Sequence, residues 1–234
     1  MDLFFHEHID TNDSNLVFDS EESRHLSRVL RKQEGDVVTV TNGKGLEVRV
    51  KLENIDSRRT NGVIEESKIH PTSANQIHIA IAPTKNIVRL EWFLEKATEI
   101  GVNRISPILC KHSERKVIKK DRLLKIIKSA LKQSQKFHLP QLDDLVPFNE
   151  FVERQGKGFI AHCDDGEKLE LADLNVLNKN NCVLIGPEGD FNKVEVAFAL
   201  KNNFMPISLG DQRLRTETAG LVACHTLSLI NRKL

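Results

Sequence analysis

Long apolar runs are missing from this 234-residue sequence, and their absence argues against a membrane-spanning protein. No stretch approaches the roughly 20 apolar residues that a transmembrane helix needs. The first residues also lack the basic flank and long apolar core of a secretory signal. We therefore expect a cytoplasmic protein without a membrane partner. Because 39% of the residues are hydrophobic, the chain can still bury one large core or two modest ones, and we do not expect disorder.

Cysteine is scarce as well. The four cysteines lie far apart and mostly within apolar strand or helix patterns: Cys110, Cys163, Cys182 and Cys224. That spacing fits neither a disulfide framework nor a zinc site. Because free cysteine behaves as a small hydrophobe, we predict buried thiols at these positions and no metal.

The common phosphate-binding patterns are also absent. Neither G-x-x-x-x-G-K-[ST] nor G-x-G-x-x-G occurs, which disfavours ordinary binding of nucleoside triphosphates or dinucleotides. Two other glycine-bearing loops, Gly186–Gly189 and Gly210–Arg215, each follow an apolar strand pattern and precede a helix pattern. Loops of this kind offer main-chain amides and a helix N-terminus to a ligand, so together they predict a pocket. Two tight turns without a ligand are the alternative.

The periodicity of the chain changes near residue 70. Before it, short strands include Leu46–Leu52, whose strict alternation is typical of a half-buried antiparallel strand, and we predict a compact β-barrel domain over residues 1–70. After it, apolar strands alternate with helix patterns, which predicts an α/β domain with a mostly parallel sheet over residues 71–234. We further predict that Asp19, Asp121 and Thr216 cap helices, that Asn192 and Glu195 form a capping box, and that Gly101 ends a helix.

Positive charge is concentrated in one segment. Residues 104–136 contain 11 Lys and Arg but only two acidic residues, although the whole chain has a net charge of +1. A second cationic set, Arg24, Arg28 and Arg31, projects from one side of a predicted helix over residues 21–32, whose inner side carries Leu26, Val29 and Leu30. Such concentrations suggest a polyanionic partner. A solvated helix face is the alternative.

Two motifs near the C-terminus carry a family resemblance. Ile185-Gly186-Pro187-Glu188-Gly189 and Leu209-Gly210-x-x-x-Leu214-Arg215-Thr216-Glu217-Thr218-Ala219 closely resemble the paired motifs of the bacterial 16S rRNA (uridine-N3) methyltransferases, the RsmE family of the SPOUT superfamily. Further matches are His25-Leu26-x-Arg28-Val29-Leu30-Arg31, Lys85-x-x-x-Arg89-x-Glu91-Trp92, Lys96 to Val102, and Ser113-Glu114-Arg115. Their order and spacing cover nearly the whole chain.

The resemblance implies a fold and a set of partners. It implies a PUA-like β-barrel that binds RNA, followed by a SPOUT α/β domain with a C-terminal trefoil knot, in a homodimer. Its cofactor is S-adenosylmethionine, and its substrate is 16S rRNA or the small ribosomal subunit. The resemblance departs at Asp190, where the family commonly has a glycine, and at Lys132, Gln133 and Lys136, where it commonly has a Glu-Gln pair and a later arginine.

The resemblance also implies site residues. The cofactor would be held by three loops that supply His162, Cys163, Ile185, Gly186, Pro187, Glu188, Gly189, Leu209, Gly210, Leu214 and Thr218. RNA would contact Arg24, His25, Arg28, Arg31, Lys85, Arg89, Arg115 and Lys132.

The proposed chemistry needs a stabilised anion and a proton acceptor. We predict that Arg215 stabilises negative charge on the uracil carbonyls, and that Glu217 or Glu188 accepts the N3 proton. Glu217 has a second interpretation, as a first-turn carboxylate interacting with its helix dipole. Two other functions stay open: a non-catalytic RNA-binding or ribosome-assembly factor, and a methyltransferase of the same fold that acts on tRNA.

Overall fold

The chain forms two compact units in its computed structural model, which describes residues 2–174 and 180–232. The first unit comprises Met1–Thr72 together with Leu131–Leu139. The second comprises Ser73–Ala130 together with Pro140–Leu234. The sequence pattern did not predict that residues 131–139 pack with the N-terminal unit.

A five-stranded sheet builds the first unit. Its strands are β1 (Leu3–Phe5), β2 (Asn15–Val17), β3 (Val37–Thr41), β4 (Leu46–Asn54) and β5 (Asn61–Ile69), in the order β1-β3-β4-β5-β2. The predicted alternation of β4 is confirmed, because Leu46, Val48, Val50 and Leu52 are all buried. The β1–β3 pair is parallel, and the other pairs are antiparallel.

The helix of this unit differs from the prediction. Asp19 caps it as expected, since its side chain accepts a 2.8 Å hydrogen bond from the Glu22 amide. After α1 (Ser20–Arg24), however, the chain makes a π-helical turn over His25–Val29. That wider turn rotates the following residues, so Val29, predicted to face inward, is 67% exposed. The helical segment ends at Val29 rather than at the predicted residue 32. Arg31 lies beyond it, at a φ of +51°.

An eight-stranded sheet builds the second unit. Its strands are β6 (Gln76–Ile81), β7 (Arg104–Leu109), β8 (Gln141–Leu142), β9 (Val146–Pro147), β10 (Gly158–Ala161), β11 (Leu169–Glu170), β12 (Asn180–Ile185) and β13 (Phe204–Ser208). They follow the order β11-β13-β10-β12-β6-β7-β8, with β9 beside β7, and every pair is parallel. The predicted parallel α/β arrangement is confirmed.

Five α-helices accompany this sheet in the described residues: α2 (Ile87–Ile100), α3 (Lys120–Gln133), α4 (Phe148–Gln155), α5 (Lys193–Lys201) and α6 (Thr216–Arg232). Gly101, at a φ of +111°, ends α2. Asn192 and Glu195 form a reciprocal capping box at the start of α5, as their spacing predicts. The prediction that Asp121 caps α3 is wrong, because α3 already begins at Lys120. No described helix is long and apolar enough to cross a membrane.

Three of the four cysteines are buried, as predicted. Cys163 is exposed, so the prediction is wrong there, because the residue lies in a loop rather than in the strand that precedes it. None of the four cysteines forms a disulfide. Among the residues described, no group of three or more His, Cys, Asp or Glu is arranged to hold a metal ion.

A polar network in the large sheet links His78 of β6, Arg104 and Ser106 of β7, and Asp143, which directly follows β8. His78 Nε2 lies 2.7 Å from Ser106 Oγ, Ser106 donates to Asp143 Oδ2, and Arg104 Nε donates to the same oxygen at 2.8 Å. Because the Ser106 hydrogen points to Asp143, the Ser106 oxygen accepts from His78. Burial, reinforced by the Arg104 charge, lowers the pKa of His78 to about 4.

We expect this network to make stability depend on pH. The folded-state pKa of His78 lies below the ordinary value of 6.5, so unfolded chains bind more protons as the pH falls from 6.5 to about 4. The His78 contribution should lower the free energy of unfolding at pH 5 by about 2 kcal/mol relative to pH 7. Urea unfolding at both pH values checks this. His78→Gln should reduce the difference in the free energy of unfolding between the two pH values. His225→Gln, at an exposed position, should leave that difference unchanged.

Candidate cofactor-binding and catalytic site

Three adjacent strands direct their following loops to one edge of the large sheet. Ala161 at the end of β10 pairs with Ile185 at the end of β12 and with Ile207 near the end of β13. Because all three strands are parallel, the loops that follow them meet at their carboxyl ends. Ligands bind in this place in open parallel sheets.

A cavity of about 420 Å³ opens between two of these loops. The predicted residues that line it are His162, Cys163, Leu209, Gly210 and Leu214. Its wall also includes residues that the sequence did not predict: Ala161, Lys168, Ile207, Ser208, Asp211, Gln212, Arg213 and Ala219. Lys168 lies in a segment whose irregular sequence gave no signal, yet its Nζ donates to His162 O at 2.8 Å and so supports the wall.

The remaining predicted cofactor residues do not line this cavity. They are Ile185, Gly186, Pro187, Glu188, Gly189 and Thr218. The loop from Gly186 to Gly189 instead joins neighbouring loops, since the Glu188 carboxylate accepts a 2.9 Å bond from the Lys85 amide.

The cavity wall combines apolar and polar groups that the expected cofactor could contact. Ile207, Leu209 and Leu214 supply apolar wall, while Ser208 and Gln212 supply polar atoms. His162 Nδ1 is buried and has no hydrogen-bond partner, so a polar ligand atom would satisfy it. Burial, reinforced by the Lys168 charge, lowers the pKa of His162 and so favours the neutral imidazole. Gly210 adopts a φ of +111° that favours glycine, and open space lies where its side chain would be.

Three predicted RNA-binding residues have partners within the protein. The Arg115 guanidinium donates to Thr84 O at 3.0 Å and to Lys85 O at 2.6 Å, and Lys85 Nζ lies 2.8 Å from Glu114 Oε2. The Ser113-Glu114-Arg115 motif therefore ties the loop after β7 to the loop after β6. Arg89 Nε lies 3.7 Å from Glu217 Oε1.

The start of α6 places two predicted catalytic residues in contrasting environments. The Arg215 carbonyl accepts the Ala219 amide at 2.8 Å, so Arg215 occupies the N-cap position and the prediction that Thr216 caps this helix is wrong. The Arg215 side chain is exposed, next to the cavity residue Leu214. The Glu217 side chain is only 8% exposed, and its Oε2 has no partner.

We expect the Arg89–Glu217 pair to matter for stability. Arg89→Ala removes the cation beside a buried carboxylate and should lower the free energy of unfolding by about 1–2 kcal/mol, because Arg89 itself is partly exposed and screened by solvent. Adding Glu217→Gln removes the uncompensated charge and should restore part of the loss. Urea unfolding of the two variants checks this, and a double variant no more stable than Arg89→Ala would contradict it.

A separate cationic cavity of about 700 Å³ lies on the first unit. Of the predicted RNA-binding residues, Arg24, His25, Arg28 and Lys132 line it, and Arg31 does not. Arg58 and Ser57 also line it, which the sequence did not predict because they lie about 30 residues away in the loop between β4 and β5. Lys132 Nζ lies 2.7 Å from Oε1 of the buried Glu22, which also lines the cavity, so the charge of Lys132 is neutralised whereas Arg24, Arg28 and Arg58 are exposed.

Family comparisons divide the chain into two matched regions. Residues 71–228 match the family described as an RNA methyltransferase domain, and residues 18–65 match an RNA methyltransferase PUA domain. A protein of Mesomycoplasma hyopneumoniae is 31% identical over 166 residues, covering 68% of this chain and 72% of its own length. One of Bacillus subtilis is 29% identical over 224 residues, covering 89% and 87%. Both are named ribosomal RNA small subunit methyltransferase E.

Two solved structures have the same fold as this chain. A probable rRNA methyltransferase of Porphyromonas gingivalis is 36% identical, with a TM-score of 0.92 over 100% of this chain and 99% of its own. A methyltransferase of Legionella pneumophila, described as putative and solved in complex with its cofactor SAM, is 27% identical, with a TM-score of 0.85 over 97% and 96%.

Proposed function

This chain belongs to the ribosomal RNA small subunit methyltransferase E family, and we propose that it transfers a methyl group from S-adenosylmethionine to N3 of a uridine in 16S rRNA. The predicted family, the α/β fold with a PUA-like N-terminal domain, and the assignment as a methyltransferase using S-adenosylmethionine are confirmed. The trefoil knot and the homodimer stay predictions. We also propose that the protein acts in the cytoplasm on rRNA or on the small ribosomal subunit.

The observation that carries the proposal is the cavity itself, whose lining residue Leu214 is followed directly in the chain by the exposed Arg215. His162, with its unpartnered Nδ1, and the apolar residues around Leu209 and Leu214 are suited to hold the cofactor. Bound S-adenosylmethionine supplies an electrophilic methyl group on a sulfonium.

We assign Arg215 to the substrate. Because neutral N3 is a poor nucleophile, negative charge must develop on the uracil as its proton leaves, and a guanidinium placed at the carbonyl oxygens stabilises that charge. The Arg215 side chain is exposed to receive a base, and the N-cap position fixes its main chain.

The two glutamates are not equivalent as proton acceptors. One oxygen of Glu188 accepts the Lys85 amide and ties two loops together. Glu217 has a buried oxygen without a partner, two residues beyond Arg215. We therefore propose Glu217 as the acceptor and Glu188 as a residue that supports the loop.

RNA binding is assigned to the cationic cavity of the first unit. Uracil N3 lies on the Watson–Crick edge, so the target must be unpaired or extruded, and the enzyme must grip the backbone while a pocket takes the base. Arg24, Arg28 and Arg58 present guanidinium groups in one cavity, which suits phosphate contacts. Lys85, Arg89 and Arg115 have partners within the protein, so we assign them a smaller part.

The proposal is tested by incubating the protein with labelled S-adenosylmethionine and three RNA substrates: 16S rRNA, small ribosomal subunits that lack the modification, and tRNA. Methyl transfer to the first or second supports the proposal, whereas transfer to tRNA supports the alternative substrate. RNA binding without any transfer supports the non-catalytic factor.

A further inference from the structure

One acidic residue is the meeting point of hydrogen bonds at the carboxyl edge of the large sheet. Asp190 follows the loop Gly186–Gly189, and its amide donates to Pro187 O at 2.9 Å to close a tight turn. Its φ is +61°, a left-handed conformation that Asp tolerates better than most residues but that glycine adopts without strain. An aspartate in such a position needs a reason in its side chain.

The carboxylate supplies that reason. Asp190 Oδ1 accepts the amide of Phe191 at 2.7 Å, and Oδ2 accepts the amide of Cys163 at 2.7 Å. The second bond connects the loop after β12 to the loop after β10. Charge-assisted bonds of this length are stronger than neutral ones, so the carboxylate fixes the Cys163 main chain.

A third loop joins the same point. His112, in the loop after β7, places Nδ1 3.0 Å from Gly189 O and 3.1 Å from Asp190 O. Both partners are carbonyl acceptors, so Nδ1 carries the hydrogen and donates to the turn. His112 therefore holds the main chain of the turn at Gly189 and Asp190, while the Asp190 carboxylate binds the Cys163 amide.

This bond bears on the cofactor cavity, because His162 and Cys163 form part of its wall. Lys168 holds the His162 carbonyl, and Asp190 holds the Cys163 amide, so the wall is fixed on both sides of one peptide segment. Asp190 itself does not line the cavity. A glycine in its place could form the same turn but could not hold the neighbouring loop.

We propose that Asp190 is a positioning residue for S-adenosylmethionine, which fixes the His162–Cys163 wall of the cavity through the Cys163 amide. The inference rests on the proposed function for the identity of the ligand, but the loop contact can be tested without any ligand.

Two substitutions of Asp190 distinguish the role of its main-chain turn from the role of its two carboxylate oxygens. Asp190→Gly keeps the turn and removes both acceptors, and should raise the dissociation constant for S-adenosylmethionine about tenfold. Asp190→Asn keeps one acceptor but turns a donor toward the other amide, and should raise it about threefold. Asp165→Asn removes an exposed carboxylate from the loop after β10 and should leave the constant unchanged.

Calorimetric titration with S-adenosylmethionine and hydrogen exchange of the Cys163 amide in the full-length protein provide the two readouts. We expect exchange at Cys163 to quicken in the order wild type, Asp190→Asn, Asp190→Gly, with unfolding midpoints little changed. In turnover, KM for S-adenosylmethionine should rise while KM for RNA stays constant. Unchanged exchange at Cys163, or unchanged cofactor affinity despite faster exchange, would overturn the inference. Failure of the wild type to bind the cofactor would instead count against the proposed function, and the exchange series would still test the loop contact.

Discussion

Replacing Arg215 with alanine is expected to lower kcat by two to three orders of magnitude while leaving the affinity for S-adenosylmethionine within about a factor of two. The side chain is exposed at the N-cap of α6, and the residues before it line the cofactor cavity. A guanidinium aimed at the developing charge on the uracil acts in the transition state, so its loss should appear in kcat rather than in cofactor binding.

The variant Arg215→Lys tests whether the positive charge alone is sufficient. Lysine keeps the positive charge but loses the planar fork that can contact two acceptors, so we expect an intermediate kcat. Steady-state kinetics with both substrates varied, together with calorimetry, provide the measurement. An Arg215→Ala enzyme with normal kcat would remove Arg215 from the mechanism. A parallel loss of cofactor affinity would make it part of the cofactor site instead.

The second large effect is expected in RNA binding. The triple substitution of Arg24, Arg28 and Arg58 by alanine removes three guanidinium groups from one cavity. We expect the affinity for 16S rRNA to fall by two to three orders of magnitude at low salt, and the slope of log affinity against log salt to become shallower by about 2. Filter binding across a salt series gives both quantities.

The same unit offers a matched control for net charge. Arg49, Lys51 and Lys68 lie on β4 and β5, outside the lining of the cationic cavity, and their replacement by alanine also removes three positive charges. We expect this variant to lose less than about fivefold in affinity. Equal losses in the two triple variants would show that overall charge, rather than the cavity, attracts the RNA.

Local patterns predicted the framework well. The alternation of β4, the capping box of Asn192 and Glu195, and the Gly101 stop of α2 depend on neighbours within a few residues, and each is confirmed. The π-helical turn at His25–Val29 was missed, because the apolar spacing of that segment also fits an ordinary helix.

The site was predicted less completely, for a physical reason. The family resemblance placed His162, Gly210 and Leu214 among the cofactor residues, and all three line the cavity. The hydrogen bonds of Glu188 and Arg115, however, are made with main-chain groups far away in sequence, which no local pattern specifies. Asp190 shows the same limit. The sequence alone shows that Asp190 stands where the family commonly has a glycine. Its hydrogen bond to the Cys163 amide, 27 residues earlier, could not be predicted, because the two residues meet only when the parallel strands bring their loops to one edge of the sheet.

The most direct measurement is mass mapping of modified uridines in rRNA from cells with the protein, without it, and with the Arg215→Ala variant. We predict one 3-methyluridine in 16S rRNA that is present with the wild type, absent without the protein and strongly reduced with the variant. A 16S rRNA whose methylated uridines are the same in all three strains would contradict the assignment.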